Sequence, residues 1–218
     1  MPRRTEVLDR ICARIADLDV GTARLVAVDG TDGVGKTVFA DALAERLRAA
    51  GEVAHRIGID GFHRPRAERY RSGRHSPEGY FRDSFDLRAF RAAVIIPLRS
   101  GAPARIRTAV FDHATDRPVD GEQIMVDPGD VVVVDGVFLH RDELVRSWHL
   151  SVYLQAPWRV ALDRMAGRDG FAPDPESSLQ RRYLDGQRLY QALCEPERRA
   201  DVVVDNERYS APAIVGIR

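Results

Sequence analysis

The sequence predicts a doubly wound α/β fold built on a parallel sheet. Short apolar runs typical of buried strands occur at residues 25–29, 131–135, 150–154 and 202–204. Segments with apolar side chains at helical spacing separate these runs. The second run begins with four valines in a row, which suits a parallel strand covered on both faces. Strands that alternate with helices in this way favour a sheet with helices on both sides.

The first half of the chain begins with an amphipathic helix. Apolar residues at helical spacing predict this helix over residues 5–18, and a second helix follows the first strand and ends at Gly51. Residues 53–59 form the next predicted strand. Residues 60–85 carry six arginines and few aliphatic side chains. That composition indicates a long irregular segment, either at a site or partly mobile.

The second half begins with a capped helix. Asp86 is expected to cap a helix that runs to about Leu98. Residues 105–112 indicate a strand, and a polar turn region follows it up to Gly129. The remaining predicted elements, besides the strands already named, are a helix at residues 158–168, a loop at residues 167–178 and a helix at residues 177–194.

Composition narrows the class of protein. The chain of 218 residues suits one domain, or one domain with a lid, and its net formal charge of zero gives no overall attraction to nucleic acid or to a membrane. No apolar run approaches the ~20 residues of a membrane span. Cys12 and Cys194 fit no metal-site spacing, which favours reduced thiols in a cytoplasmic protein. Nucleic-acid binding by residues 64–82 is a weaker alternative, because acidic residues interrupt the arginines.

A phosphate-binding motif lies between the first strand and the next helix. Residues 30–37 match G-x-x-x-x-G-K-[ST], the P-loop, whose glycines turn backbone amides toward phosphate oxygens. Lys36 is the only lysine among 33 basic residues. A compact ammonium fits a phosphate cradle that is too narrow for a guanidinium. This difference in shape explains why a lysine, and not another arginine, occupies position 36. The predicted nucleotide-binding residues are Gly30, Thr31, Asp32, Gly33, Val34, Gly35, Lys36 and Thr37.

Two carboxylates follow predicted strands at the carboxyl edge of the sheet, where ligands bind. Asp135 ends the valine strand, and with the hydroxyl of Thr37 it is predicted to hold Mg²⁺. Asp60 follows the strand at residues 53–59 and is predicted to orient an acceptor hydroxyl and to accept its proton. The alternative for each aspartate is that it only begins a turn.

Two arginines complete the predicted catalytic set with Lys36 and Asp60. Arg164 and Arg168 lie four residues apart and so share a helix face. They are predicted to stabilise the charge of a transferring phosphoryl group, and the alternative is a solvated helix face. Because the chain has no second lysine, it has neither a guanine-reading Asn-Lys-x-Asp segment nor a Schiff-base lysine elsewhere. The glutamate that follows the strand-ending aspartate in many motor ATPases is also missing, and no ABC-type Leu-Ser-Gly-Gly-Gln segment occurs. These exclusions leave a small P-loop kinase that acts on a small molecule.

Six segments in order carry a resemblance to a known family: residues 30–37, 59–63, 76–86, 134–138, 164–169 and 200–206. Over roughly residues 20–206 the chain resembles the uridine kinase and phosphoribulokinase-like family of P-loop kinases, which also includes bacterial pantothenate kinase. The resemblance implies one kinase domain with a five-stranded parallel core, helices on both faces and a lid near residues 165–178. It also implies ATP with Mg²⁺ as donor, activation of the acceptor by Asp60, and action of Arg164 and Arg168 from the lid.

The acceptor side, around residues 60–85, departs from the family pattern. Uridine kinases carry a ribose-binding aspartate where this chain has Tyr80, and a base-side tyrosine and histidine where it has Phe111 and Asp116. Because such sites reject analogues strongly, these changes indicate a changed acceptor. The expected acceptor is nucleoside-like; a pantothenate-type or sugar acceptor, a regulatory ATPase and a homo-oligomeric state stay open. The candidate acceptor-binding residues are Asp60, His63, Tyr80, Arg82 and Asp112.

Overall fold

The computed structural model describes residues 4–170 and 177–218, and the predicted doubly wound α/β fold is confirmed. Its strands are β1 (Arg24–Gly30), β2 (Ala54–Gly58), β3 (Ala104–Arg107), β4 (Phe111–Asp112), β5 (Arg117–Pro118), β6 (Gln123–Val126), β7 (Val131–Asp135), β8 (Leu150–Gln155), β9 (Val202–Asp205) and β10 (Ala213–Ile217). Its helices are α1 (Arg4–Ala16), α2 (Lys36–Ala49), α3 (Arg66–Arg69), α4 (Pro77–Asp83), α5 (Leu87–Phe90), α6 (Ile96–Leu98), α7 (Trp158–Asp169), α8 (Ser178–Cys194) and α9 (Pro196–Arg199).

The central sheet has the strand order β10-β9-β8-β1-β7-β2. The five parallel strands that the resemblance implied are present, since β1 pairs in parallel with β7 and β8, β7 with β2, and β8 with β9. A sixth strand, β10, adds an antiparallel edge that the sequence analysis did not predict. Val215 and Ile217 in β10 are exposed. An edge strand of this kind lacks the continuous buried run that marks the central strands.

Helices pack on both faces of the sheet because its central strands are apolar on both sides. Val26 and Val28 of β1 face α1 and α2, in a core with Phe39. Leu25 and Ala27 of the same strand face the opposite side, where α4, α5 and α8 contribute their aromatic residues. Every residue of β1 and β7 is buried. This packing fixes the carboxyl ends of neighbouring strands at one edge.

The region between α6 and β7 differs from the prediction. The single strand expected at residues 105–112 is wrong, because the chain leaves the ladder after Arg107 and forms two short antiparallel pairs, β3 with β6 and β4 with β5. The sequence analysis took β6 for part of a turn region. Only Val126 of this strand is buried, and its apolar run of three residues is too short to identify a strand from periodicity alone.

Segments next to the site are ordered by short helices. Residues 60–85, predicted to be irregular, contain the end of a 3₁₀ turn (Ile59–Phe62), then α3 and α4. The cap at Asp86 is confirmed, because its carboxylate accepts a hydrogen bond from the Ala89 amide at 2.9 Å. The lid predicted at residues 165–178 includes 171–176, which lie outside the described residues. Among the described helices, none has the length and apolar character that a membrane crossing requires.

Candidate active site at the carboxyl edge of the sheet

A cavity of about 250 Å³, here called the central cavity, lies at the carboxyl edge of the sheet. It is lined by Lys36 and Thr37 at the start of α2, by Asp60 after β2, and by Asp135 at the end of β7. These residues are distant in sequence. They meet because the carboxyl ends of parallel strands share one edge. The central cavity therefore brings the predicted phosphate-binding, metal-binding and acceptor-activating residues together.

The P-loop has the conformation of a phosphate cradle. The Lys36 ammonium donates to the Thr31 carbonyl at 2.7 Å. Gly33 has φ +73°, and a Cβ atom there would lie 2.1 Å from the Ala161 carbonyl oxygen, so only glycine fits this turn. Helix α2 begins at Lys36. The backbone amides at the start of this helix and the positive end of its dipole are suited to an anion.

Thr37 and Asp135 form a site suited to a hard cation. The Thr37 hydroxyl donates to Asp135 Oδ2 at 2.9 Å. Asp135 is buried, and its Oδ1 atom accepts no hydrogen bond from the described residues. Arg56 Nη2 lies 2.7 Å from this Oδ1 without the alignment of a hydrogen bond. Burial raises the pKa of Asp135, against the opposing effect of Arg56 and Thr37. The Thr37 hydroxyl and the Asp135 carboxylate are oxygen ligands of the kind that Mg²⁺ prefers, and a bound ion would compete with Arg56 for Oδ1.

Asp60 and His63 occupy the turn after β2. His63 Nδ1 contacts the Asp60 carbonyl oxygen at 2.8 Å, so this nitrogen carries the proton of a neutral ring. The rings of Phe85 and His113 pack against His63 with centroids 4.5 and 4.7 Å away. Burial lowers the pKa of His63. His113 also lines the central cavity, and the sequence analysis missed it.

Asp32 connects the P-loop to two helices. Its Oδ2 atom accepts hydrogen bonds from the Tyr80 hydroxyl of α4 at 2.7 Å and from Gln187 Nε2 of α8 at 2.9 Å. Burial, and then the nearby Asp32 carboxylate, raise the pKa of Tyr80 well above its usual range, so the hydroxyl stays protonated. Tyr80 lines the central cavity as predicted for an acceptor-side residue, but its hydroxyl is engaged by the P-loop. Gln187 was not predicted.

The two predicted arginines of α7 differ in placement. Arg168 lines the central cavity. Arg164 instead donates to the carbonyl oxygens of Val34, Asn206 and Glu207 at 3.3, 3.2 and 2.7 Å. Its guanidinium also stacks on the Tyr209 ring, 3.7 Å from the centroid. In this conformation Arg164 fastens the P-loop to the segment after β9.

Two predicted acceptor-side residues lie away from the central cavity. Arg82 is exposed on α4 and donates to Glu78 Oε1 at 2.8 Å, one helical turn earlier. Asp112 accepts from the Ala114 amide at 2.9 Å and from the Thr115 hydroxyl at 2.7 Å. These hydrogen bonds lower the pKa of Asp112, with the Thr115 contact as the largest cause. Arg82 is therefore paired within its own helix, and Asp112 is hydrogen-bonded within its own turn.

Four further residues of the cavity wall were missed by the sequence analysis: Arg69, Tyr70, Arg182 and Tyr183. Both arginines are buried. The remaining basic residues besides Lys36 are all arginine, so residue type cannot show which of them point inward. A buried position becomes visible only when α3 and α8 are placed against the sheet.

A buried polar network centred on Asp29 holds the first residue of the P-loop. Asp29 is fully buried at the end of β1, where its Oδ1 atom accepts from the Gly30 amide at 2.7 Å. Its Oδ2 atom accepts from the Leu139 amide at 2.9 Å, from His140 Nδ1 at 2.7 Å, and from the Tyr190 hydroxyl of α8. The network fixes the start of the P-loop relative to α8 and to the loop after β7.

Known proteins resemble this chain in sequence and in fold. The model of the phosphoribulokinase / uridine kinase family matches residues 25–172. A uridine kinase from Leuconostoc citreum (strain KM20) is 28% identical over 123 residues, which cover 56% of this chain and 57% of that protein. A pantothenate kinase from Rhodopseudomonas palustris (strain HaA2) is 29% identical over 176 residues, which cover 72% of this chain and 54% of that protein.

The matched regions thus span little more than half the length of these two curated relatives. Among solved structures, that of a possible uridine kinase from Bacillus stearothermophilus has a TM-score of 0.71 at 24% identity. That similarity covers 91% of this chain and 97% of the other, and it shows a shared fold.

Proposed function

The chain belongs to the phosphoribulokinase / uridine kinase family, and from this membership we propose that it is an ATP-dependent kinase acting on a hydroxyl group of a small molecule. The observation that carries the proposal is the central cavity, in which the P-loop and Asp60 line one space. A phosphate cradle and a carboxylate that faces the same space are the two groups that phosphoryl transfer to an alcohol requires.

The proposed reaction is an in-line transfer of the γ-phosphoryl group of ATP. The acceptor oxygen forms a bond to the γ-phosphorus, the bond from that phosphorus to the bridging oxygen breaks, and ADP leaves with the electron pair. Asp60 orients the acceptor hydroxyl and takes its proton. Lys36 and the loop amides bind the phosphates, and Arg168 stabilises the developing charge. Thr37 and Asp135 would hold Mg²⁺, which neutralises phosphate charge when bound.

The resemblance favours a nucleoside as acceptor, with pantothenate-type alcohols and sugars as alternatives. A regulatory ATPase is the alternative from another class, since the same P-loop could bind and slowly hydrolyse ATP without an acceptor. A cytoplasmic location is part of the proposal, because Cys12 and Cys194 are free, buried thiols, as expected in a reducing compartment. No nucleic-acid, membrane or subunit partner is needed for the proposed transfer.

The test compares Asp60→Asn with the wild type in an ADP-release assay with ATP and Mg²⁺ against nucleosides, pantothenate and sugars. We expect a loss of transfer of about 10²–10⁴-fold, because the general base is removed, while the affinity for ATP is retained. Asp120→Asn is the matched control, since its side chain is 79% exposed and pairs with Arg107. Unchanged ATP turnover in Asp60→Asn would favour the regulatory ATPase.

A further inference from the structure

Two buried arginines line the central cavity together with Asp60. Only 5% of the surface of Arg182 and 9% of that of Arg69 is exposed. Within residues 4–170 and 177–218, neither Nε atom has a hydrogen-bond acceptor. A buried guanidinium with unsatisfied N–H groups is unfavourable. This pair is therefore poised for a ligand that supplies the missing acceptors.

Aromatic rings hold both guanidinium groups at the cavity wall. The guanidinium carbon of Arg182 lies 5.0, 5.2 and 5.6 Å from the ring centroids of Tyr70, Tyr80 and Tyr183. That of Arg69 lies 5.6 Å from the Tyr70 centroid. Because Tyr70 contacts both, the two cations belong to the same part of the wall. Cation–π contacts compensate for part of the desolvation but accept no conventional hydrogen bond in the plane of the guanidinium.

The nearby carboxylates are engaged by other groups. Asp116 lies 3.4 Å from Arg69 Nη2, a long contact, and the same oxygen accepts from the Arg66 amide at 2.8 Å. Asp32 accepts from Tyr80 and Gln187, as described above. In the proposed reaction, the Asp60 carboxylate binds the acceptor hydroxyl. These carboxylates therefore leave the charges of Arg69 and Arg182 incompletely compensated.

We propose that the acceptor carries an anionic group, a carboxylate or a phosphate, which binds to Arg182 and Arg69 while its hydroxyl lies at Asp60. This inference rests on the proposed kinase function and narrows its substrate class. A planar guanidinium offers paired donors that match two oxygens of a carboxylate or phosphate. A neutral nucleoside would supply no anionic acceptor to the unpaired Nε groups of these two arginines.

The experiment measures ADP release by the full chain with matched acceptors that differ in one anionic group. The carboxylate arm compares pantothenate with pantothenyl alcohol and glycerate with glyceramide. The phosphate arm compares fructose 6-phosphate with fructose, and uridine and cytidine form a neutral arm. We expect an anionic member of one arm to exceed its neutral partner by about 10²-fold or more in kcat/KM, since the site's buried donors are unpaired without it. A preference within the carboxylate pairs would identify a carboxylate acceptor, and a preference within the phosphate pair would identify a phosphate acceptor.

Substitutions then connect the preference to the two arginines. Arg182→Gln and Arg69→Gln should raise KM for the anionic acceptor by about 10-fold or more and move the anionic-to-neutral ratio of kcat/KM toward one. ATP affinity should be unchanged. Arg182→Lys keeps the charge without the planar fork and should fall between wild type and Arg182→Gln. Arg74→Gln, at an exposed arginine between α3 and α4, is the matched control.

The outcomes separate this inference from the kinase function. A purely structural role of Arg182 would lower kcat/KM for both members of a pair and leave their ratio unchanged, which would overturn the proposal. Highest activity on a nucleoside, undiminished in Arg182→Gln, would overturn it and leave the kinase standing. If no acceptor raises ADP release above background hydrolysis and Asp60→Asn hydrolyses ATP normally, both fail. Should Arg182→Gln not fold, Arg69→Gln and Arg182→Lys give the same comparison.

Discussion

Lys36 is the only lysine among 33 basic residues, and the proposed function explains this by a position that requires shape as well as charge. Its ammonium lies 2.7 Å from the Thr31 carbonyl, inside the loop that it closes. Because the chain has no other lysine, its composition alone singles out this residue. The same composition hid Arg69 and Arg182, since one arginine looks like any other in a chain so rich in them.

Lys36→Arg should lower kcat for phosphoryl transfer by about 10²-fold or more, the scale of losing a positioned donor to a developing charge. Charge is kept in this variant, so the loss would come from the width of the guanidinium. Steady-state ADP release and ATP binding measure the effect. Arg10→Lys makes the reverse exchange at an exposed site of α1 and should leave both unchanged. Near-normal turnover in Lys36→Arg would refute the shape argument.

His149 supports β1 only as a neutral ring. The Leu25 amide donates to His149 Nδ1 at 2.9 Å, and burial, aided by the charge of Arg99, lowers the pKa of His149. The unfolded chain takes up this proton near pH ~6.5 and the folded chain only at lower pH. The stabilisation is therefore fully present above about pH 6.5 and is lost as pH falls through the folded pKa.

His149→Asn replaces the titrating acceptor with an amide oxygen that does not titrate. We expect a flatter dependence of Tm on pH below about pH 6.5 than in the wild type. The dependence should not vanish, because burial also lowers the pKa of His63. Thermal unfolding across this pH range gives the slope, and His75→Asn, at an exposed histidine, serves as control. An unchanged slope in His149→Asn would show that this ring does not titrate differently on folding.

Helix α8 links the elements of the site through two side chains on one face. Gln187 reaches Asp32, and Tyr190, three residues later, reaches Asp29. The helix itself was predicted at residues 177–194 and is confirmed as Ser178–Cys194. Its rotation about its own axis was not predictable, because that rotation depends on packing against α4 and the sheet. Sequence periodicity therefore located the element but not its inward-facing polar residues.

Gln187→Ala should lower the free energy of unfolding by about 1.5–3 kcal/mol, since it removes a hydrogen bond to the partly buried Asp32 carboxylate. We also expect weaker ATP binding, because Tyr80 alone then restrains Asp32. Urea unfolding and ATP titration measure the two effects. Gln191→Ala, one turn along α8, removes a 3.4 Å contact to the Tyr153 hydroxyl at the exposed side of the helix and should change stability by less than about 0.5 kcal/mol. Equal effects of the two variants would contradict a special role for Gln187.

Across the whole molecule, the strands that could be predicted are those whose burial requires a continuous apolar run in the sequence. The valine run of β7 and the motif after β1 fixed the centre of the sheet and its functional edge. Asp60 and Asp135 could be placed at that edge because parallel strands end together. β6 and β10 were not predicted, and unlike the central strands they are only partly buried. The inward arginines required knowledge of three-dimensional packing.

The Asp29 network joins β1, α8 and the loop after β7, so weakening it should act on the entire fold. Tyr190→Phe removes one donor from a fully buried carboxylate and should lower the free energy of unfolding by about 1–3 kcal/mol. The dependence of this free energy on urea concentration should stay unchanged if the chain still unfolds in one step. Tyr153→Phe is the matched control, since among the described residues its hydroxyl makes a single hydrogen bond, the 3.4 Å contact to Gln191. A comparable loss in both variants would argue against the network.

Because Lys36 is the only lysine side chain, its chemical labelling can report whether the phosphate site is occupied. A reagent that acylates primary amines finds one side-chain target in this sequence, Lys36. The mass gained at that residue would then count unoccupied cradles directly, with no engineered label. Saturating ATP should slow this acylation, because a lysine in contact with phosphates is a poor nucleophile. Covalent footprinting by mass spectrometry could thus measure nucleotide occupancy even before the acceptor is identified.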